Sequence, residues 1–340
     1  MKLSLSFFGS GQEGLAAPER YQTVLEISGL ADKLGFHSIW IPERHFQNFG
    51  DIFPSPAVLA GALAATTSRV RIHAGSVILP LHNPIRVLED WSMLDGLSGG
   101  RVGVSVATGW HPLDFLIAPG TYADRRMIAA TMLEDLRVAW RDGLVRGIDP
   151  DGVEQQVRVR PDRVQAQLPI WLTTSGRPQT WVDAGEARVS VLGSTIGQTR
   201  SSLAENIANY RAAFDYGHHE RPWVTLAVHT YVGDDRAEVR RRVETPMKRY
   251  LASFVQQQAS AGDGNVGDLG DAARSQMIDF AFERYWASMS MLGTPDHCSA
   301  TLAELAEIGC DEVACLIDFG PSRLELERTV TLLAGLIENR

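Results

Sequence analysis

The sequence predicts an α/β chain folded as a single (β/α)8 barrel with two insertions. Three observations carry that reading. Eight short apolar, β-rich runs alternate with longer helical stretches, and such alternation calls for a parallel sheet. The chain has 340 residues, somewhat more than the ~250 typical of such barrels, which leaves room for insertions at about 143–167 and 255–295. No linker-like stretch divides the chain, so 1–340 reads as one domain.

The elements follow in order. Leu3–Phe8 reads as the first strand. Pro18–Leu34 reads as a helix, with proline at its start and Gly35 just past its end. His37–Ile41 is the second strand and Ser55–Thr67 an Ala/Leu-rich helix. Val70–Leu79 is a long strand containing Gly75, and Pro84–Leu97 a helix closing on Ser98-Gly99-Gly100. Val102–Ala107 is the fourth strand and Tyr122–Trp140 the next helix. Strands at Ile170–Thr174, Val189–Leu192 and Val224–Val232 alternate with helices at Pro178–Ala187, Ser201–Phe214 and Asp235–Val255. A Gly/Asp-rich break at Gly262–Asn265 precedes helices near Ala272–Trp286 and Cys298–Ile308. Glu312–Ile317 is the last strand and Arg323–Ile337 the last helix.

Composition excludes several classes. Hydrophobic residues are 44% and charged residues 21%, as in ordinary globular chains. With 32 basic against 41 acidic side chains the net charge is −9, which argues against nucleic-acid and membrane-surface partners. Three scattered cysteines, Cys298, Cys310 and Cys315, suit a reducing compartment and small buried thiols. No run reaches the ~18 apolar residues of a membrane span, and the N-terminus lacks a signal-peptide pattern. The expected location is the cytoplasm.

Gly9-Ser10-Gly11-Gln12-Glu13-Gly14 is a literal dinucleotide fingerprint. The helix signal starts only at Pro18, however, and no acidic residue ends the second strand at the required spacing. A first barrel loop is the better reading.

In a barrel the chemistry sits at the C-terminal ends of the strands. Those ends hold Phe7-Phe8-Gly9, Pro42-Glu43-Arg44-His45-Phe46, Ala74-Gly75-Ser76, Ala107-Thr108-Gly109-Trp110-His111, Thr173-Thr174-Ser175-Gly176-Arg177, Gly193-Ser194-Thr195, His229-Thr230 and Asp318-Phe319-Gly320. This aromatic, hydroxyl-rich and glycine-rich mouth suits a flat conjugated ligand carrying a phosphate, because small residues let backbone N–H groups reach phosphate oxygens. It suits a metal poorly, since Glu43, His45, His111 and Asp318 are scattered and form no ligand motif; no metal is expected. Each residue has a plainer alternative: His45 as a polar loop residue, Phe8 and Trp110 as core caps, Gly75-Ser76 as a bulge.

Ile41-Pro42-Glu43-Arg44-His45-Phe46, then Val77–Arg86, then Leu94-Asp95-Gly96-Leu97-Ser98-Gly99-Gly100-Arg101, and late Leu292-Gly293-Thr294-Pro295 with Gly309-Cys310-Asp311-Glu312, resemble the bacterial luciferase-like flavin monooxygenases in order over about residues 3–320. Gly109-Trp110-His111-Pro112, Tyr122–Arg126 and Ala314–Gly320 are most similar to the group found in polyketide and non-ribosomal peptide clusters.

The resemblance implies a (β/α)8 barrel that binds reduced FMN, with O₂ as co-substrate, and forms a C4a-(hydro)peroxyflavin. It implies a separate NAD(P)H:flavin reductase, a secondary-metabolite substrate free or tethered to a carrier protein, and a homodimer through barrel helices such as Ala57–Thr67. Carried over residue by residue, a non-proline cis peptide falls at Gly75–Ser76 under the flavin ring. The phosphate site falls at Thr174-Ser175-Gly176 and Gly193-Ser194. The catalytic set is His45, His111 and Arg44, while Phe8 and Trp110 wall the substrate side. Two departures stand out. The luciferases themselves carry a histidine pair where this chain has Arg44-His45, and a phosphate-binding arginine where it has Thr108. Arg125, Arg126 or Arg177 is then the expected replacement cation. The alternatives are F420-dependent hydride transfer on the same barrel and non-catalytic flavin binding.

Overall fold

The structure is a computed structural model, and it describes residues 1–10, 14–47, 51–174, 176–214, 223–260 and 270–338. In chain order the elements are β1 (Lys2–Ser6), α1 (Ala17–Leu34), β2 (Ser38–Ile41), α2 (Pro56–Thr66), β3 (Arg71–Ile78), α3 (Pro84–Ser98), β4 (Val102–Ala107), α4 (Arg125–Asp142), β5 (Leu144–Ile148) and β6 (Glu154–Arg158). They continue as β7 (Ile170–Thr173), α5 (Pro178–Glu186), β8 (Ser190–Ser194), α6 (Arg200–Ala213), β9 (Val224–Val232), α7 (Arg236–Ser260), α8 (Asp271–Ala287), β10 (Met291–Gly293), α9 (Pro295–Glu307), β11 (Glu312–Leu316) and α10 (Arg323–Glu338).

Eight parallel strands close on themselves in the order β1-β2-β3-β4-β7-β8-β9-β11, with β8–β9 and β11–β1 completing the ring. The predicted barrel is thus present, with all eight strands near their expected positions. Local chemistry explains the punctuation. Gly35 at φ 84° ends α1 in the left-handed region, its N–H bonded to the Ala31 carbonyl. Ser55 accepts a hydrogen bond from the Val58 N–H at the start of α2, and Thr199 and Ser202 form a capping box on α6.

Strand register fixes which side chains face inward, because paired residues project to the same face. Ser4, Ser38 and Arg71, with Glu312 and Thr225 on the adjoining strands β11 and β9, form the lower level. Glu312 is fully buried there. Its carboxylate accepts hydrogen bonds from Ser4, from Ser38 Oγ at 2.7 Å, Trp40 Nε1 at 3.0 Å, Trp223 Nε1 at 3.2 Å and Thr225 Oγ1 at 2.9 Å. Burial pushes its carboxyl pKa up, but His73, His37 and the serine hydroxyls outweigh that and hold it below the usual range. Above it Trp40 packs edge to face on His73 and Trp171, which are tilted on each other, at 4.6–5.1 Å; the three rings fill the barrel, so its interior is a floor rather than a channel.

Two regions add to the barrel. The polar stretch after α4 holds the antiparallel hairpin β5–β6. It escaped the sequence reading because most of its residues are exposed on both faces, which removes the period-2 signal. The other region, between β9 and β11, contributes α7, α8 and the three-residue β10, parallel to β9; three residues are too few to show a pattern. The Gly262–Asn265 break and Gly11–Glu13 of the first loop lie outside the described residues. The three cysteines are buried and unpaired with one another. Among the described residues no helix is long and apolar enough to cross a membrane.

Candidate active site

A cavity opens at the C-terminal ends of β1, β2, β3, β4, β7 and β8. It encloses about 170 Å³, below the ~300–1,000 Å³ common among small-molecule sites. Trp40, Gly75 and Leu192 lie at its floor; Phe8, Arg44 and Trp110 line its rim; Ser76, Thr173, Thr174 and Ser194 add hydroxyls.

One wall is main chain. The Gly75–Ser76 peptide is cis, where the resemblance expected it, and the pairing of β3 with β4 shifts register between Gly75 and Val77. A Cβ at Gly75 would fall 3.0 Å from Trp40 Cε3, so the position has no room for a larger residue without moving the floor. Ser76 Oγ is hydrogen-bonded to Thr173 Oγ1, which also lies 2.6 Å from Ser105 Oγ.

The β2 end is organised by Glu43. Its side chain is fully buried and accepts from His45 Nε2 at 2.9 Å, His82 Nε2 at 2.7 Å and the Ile78 N–H at 2.7 Å. Burial pushes the Glu43 pKa up, but these three donors together hold it below the usual value. The neighbouring Arg44 turns the other way, with its guanidinium carbon 4.3 Å above the Phe8 ring. Burial lowers the Arg44 pKa, opposed by Tyr250 and Asp114, and an arginine so shifted keeps its charge near neutrality.

The β1 end is pinned by Asp318, which accepts from the Phe8 N–H at 2.6 Å and the Gly9 N–H at 2.7 Å. Burial raises its pKa to about 6 against those two donors. Beyond β4, Asp114 is buried beside His111, His45 and Arg44; desolvation raises its pKa and these neighbours draw it down.

The predicted site residues divide. Phe8, Arg44, Gly75, Ser76, Trp110, Thr174, Gly193 and Ser194 are brought together at the cavity. His45, His111, Thr108, Gly176 and Arg125 are not among its lining residues. His45 is bound back to Glu43. His111 caps the short turn Pro112–Leu116, its Nδ1 accepting from the Leu113 N–H at 3.3 Å. Arg125 donates to the carbonyls of Gly109 at 3.1 Å and Tyr122 at 2.7 Å and stacks on Tyr122. It braces the β4 loop and is not brought to the cavity as the expected phosphate cation. Arg126 and Arg177 are exposed, and Ser175 lies outside the described residues. The scattered acids and histidines weighed as metal ligands do not gather: among the described residues no three His, Cys, Asp or Glu side chains are placed to hold an ion.

Sequence reasoning missed Trp40, and placed Thr173 and Glu43 at the strand ends without giving them a part in building the site. The first two were legible as inward positions, two residues apart from Ser38 and Trp171. Glu43 was not, because its role depends on His82 and Ile78, which only folding brings to it.

A barrel with a cavity walled by main chain at one strand and by an aromatic-stacked arginine at another defines a small-molecule enzyme site. The luciferase-like monooxygenase family model matches residues 1–312, and the chain belongs to that family. It is a monooxygenase of the luciferase-like type. It is 23% identical over 321 residues to the flavin-dependent trigonelline monooxygenase oxygenase component of Acinetobacter baylyi, covering 91% of this chain and 88% of that protein. Among solved structures, monooxygenase RslO1 of Streptomyces bottropensis aligns at a TM-score of 0.78 and 23% identity, over 100% of both chains. An F420-dependent secondary alcohol dehydrogenase aligns at 0.72 and 17% identity, over 98% of this chain and 99% of its own. These structural likenesses speak to the fold.

Proposed function

We propose that the chain is the oxygenase component of a two-component monooxygenase, using reduced FMN and O₂ on a secondary-metabolite intermediate, free or carrier-bound. The observation that carries the reading is a cavity that brings Gly75, which has no side chain, together with Phe8, Arg44 and Trp110. A flat ring fits against such a position. The hydroxyls of Ser76, Thr174 and Ser194 suit its polar edge and side chain. The N-terminus of α5, just past Thr174–Gly176, suits a phosphate, because unsatisfied N–H groups and the helix dipole favour an anion.

Bound reduced flavin supplies the electrons that activate O₂. The residues of this chain do the rest. Phe8 and Trp110 exclude water from the reacting face. Arg44, a buried cation at the cavity, stabilises negative charge that develops on oxygen. His45 and His111 are positioning residues: His45 acts through Glu43, and His111 holds the turn that carries Asp114. Membership of the family and the name of the Acinetobacter relative support an external reductase as electron donor. Val58, Met93 and Leu97 are exposed on α2 and α3, which supports a homodimer through these helices; sedimentation at micromolar concentration gives about 75 kDa if so, twice the 37.3 kDa chain.

The test mixes anaerobic protein and reduced FMN with oxygenated buffer in a stopped-flow instrument. A transient spectrum of neither reduced nor oxidised flavin is expected. Reoxidation indistinguishable from free FMN overturns the reading. Oxygen-independent reduction of a substrate by reduced F420 would replace it with hydride transfer.

A further inference from the structure

His229 on β9 pairs in register with Leu316 of β11, which pairs with Ser6 of β1. Leu316 and Ser6 both line the cavity, as does Ala227, two residues before His229. His229 therefore faces the barrel interior at the level of the cavity, under the insertion formed by α7 and α8, packed behind Ala227 and Leu316 and not itself among the residues that line the cavity. Its imidazole is 1% exposed. Three rings stand edge-on around it: Tyr250 at 4.3 Å, Phe319 at 5.4 Å and Tyr285 at 5.5 Å.

Hydrogen bonds decide which nitrogen carries the proton. The Tyr285 hydroxyl lies 3.1 Å from the His229 main-chain N–H, 3.1 Å from Nδ1 and 3.2 Å from Thr195 Oγ1. A phenol donates one hydrogen bond and accepts two. If the main-chain N–H and the Thr195 hydroxyl both donate to Tyr285, Tyr285 donates to Nδ1, and the imidazole proton sits on Nε2. The opposite tautomer leaves the buried Thr195 hydroxyl without an acceptor among the described residues as well. Nε2 itself has no hydrogen-bond partner among the described residues. Buried donors are nearly always matched, so this one is left to a ligand or a bound water.

Burial holds the His229 pKa down at about 3. The titratable groups facing the ring are the phenols of Tyr250 and Tyr285, both pushed up by burial, Tyr285 to about 12. Asp318, next to Phe319, is raised by burial to about 6 and changes charge between pH 5 and 9, and Arg44 beside Tyr250 keeps its charge.

We propose that His229 presents a neutral, fixed Nε2–H donor to a carbonyl oxygen on an aromatic substrate of this monooxygenase. The ring-lined surroundings favour a flat apolar skeleton. A neutral donor matches a ketone or quinone oxygen and gives an anion no compensating charge. The assignment rests on the function proposed above, and its test is separable from it.

The test uses the full chain without added flavin and two probes of one shape, 2-acetylnaphthalene and 2-isopropenylnaphthalene, followed by tryptophan fluorescence. The ratio of their dissociation constants favours the ketone in the wild type, relative to His229→Phe, by about 3–10-fold, the worth of one neutral hydrogen bond. Tyr285→Phe frees the tautomer and loses the same preference while the fold, read by circular dichroism, is kept. Nitrogen NMR of the labelled wild type finds the proton on Nε2 and no titration from pH 5.5 to 8.5. An unchanged ratio in His229→Phe means that the donor serves only a bound water, and overturns the proposal. Failure of both probes to bind, or a proton on Nδ1, does the same. Weaker FMN binding in His229→Phe with an unchanged probe ratio assigns the donor to the flavin and also overturns it. Oxygen kinetics of the wild type report separately: normal flavin oxygen activation with no ketone preference sinks this inference alone, and ketone preference with no oxygen activation sinks the monooxygenase reaction alone.

Discussion

Glu312→Gln removes one charge from the bottom of the barrel and turns one acceptor oxygen into a donor. The carboxylate receives five side-chain donors there, three on Oε1 and two on Oε2. A glutamine oxygen can keep the three that include Trp40. Its NH₂ then faces the Trp223 N–H and the Thr225 hydroxyl, and Thr225 already accepts from Trp171 Nε1 at 3.1 Å. Two charge-assisted bonds are lost, each worth about 1.5–3 kcal/mol, and the total falls in the ~3–5 kcal/mol range for breaking a buried polar cluster. At about 2 °C per kcal/mol for a long chain, the apparent melting temperature drops by roughly 6–10 °C. Thr225→Val removes one donor to Glu312 and the acceptor of Trp171 Nε1 and costs about 1–3 kcal/mol, a shift of a few degrees. The loss in Glu312→Gln reaches the cavity, because Trp40 stands between Glu312 and Gly75. Differential scanning fluorimetry of the two variants side by side checks the magnitude. Melting of Glu312→Gln within 2 °C of wild type, or below Thr225→Val in effect, would refute the argument that the carboxylate organises the barrel floor.

Other expectations follow from the same geometry. The Glu43 pKa is lowered from 4.5 by its donors, against burial, so its stabilisation is present above pH ~4.5 and lost as pH falls further. The His82 pKa, though burial pushes it down, is raised from 6.5 by Glu43, so that contribution is full below pH ~6.5 and fades as pH rises. Glu43→Gln is therefore expected to cost about 1–3 kcal/mol near pH 5.5 and visibly less at pH 8.5, with the partly exposed His82 holding the value toward the low end. Urea titrations at the two pH values decide it, and equal losses would contradict the pairing. Gly103→Ala puts a Cβ 2.8 Å from His73 Cδ2 and 2.9 Å from Trp171 Cζ3, an overpacking cost of about 1–3 kcal/mol. Gly61→Ala, in α2 with its nearest contact at 3.7 Å, gains about 0.5–1 kcal/mol from helix propensity; thermal melts that rank the two alike would count against the packing argument. Arg44→Met, measured as product formed per flavin oxidised, lowers the yield about 10²-fold, with Arg44→Lys intermediate because it keeps charge without the planar stack on Phe8. An unaffected yield in Arg44→Met would remove Arg44 from the chemistry.

The sequence by itself determined the barrel. Its alternating β and α periods, closed by Gly35 after α1 and by Ser98-Gly99-Gly100 after α3, are local signals, and local backbone physics decides them. It also marked the strand ends where Phe8, Arg44, Gly75 and Trp110 stand, because a barrel carries its site there whatever the chemistry. Tertiary structure decided which of those residues meet. His45 and His111 each sit one position from a cavity residue, yet their side chains turn toward Glu43 and the Pro112–Leu116 turn. Arg125 spends its guanidinium on two loop carbonyls. Glu43, Glu312 and Asp318 gain their roles from donors 35 to more than 300 residues away. A buried charge takes its partners from whatever strand lies opposite, and that is fixed by barrel closure and register, which no local period encodes.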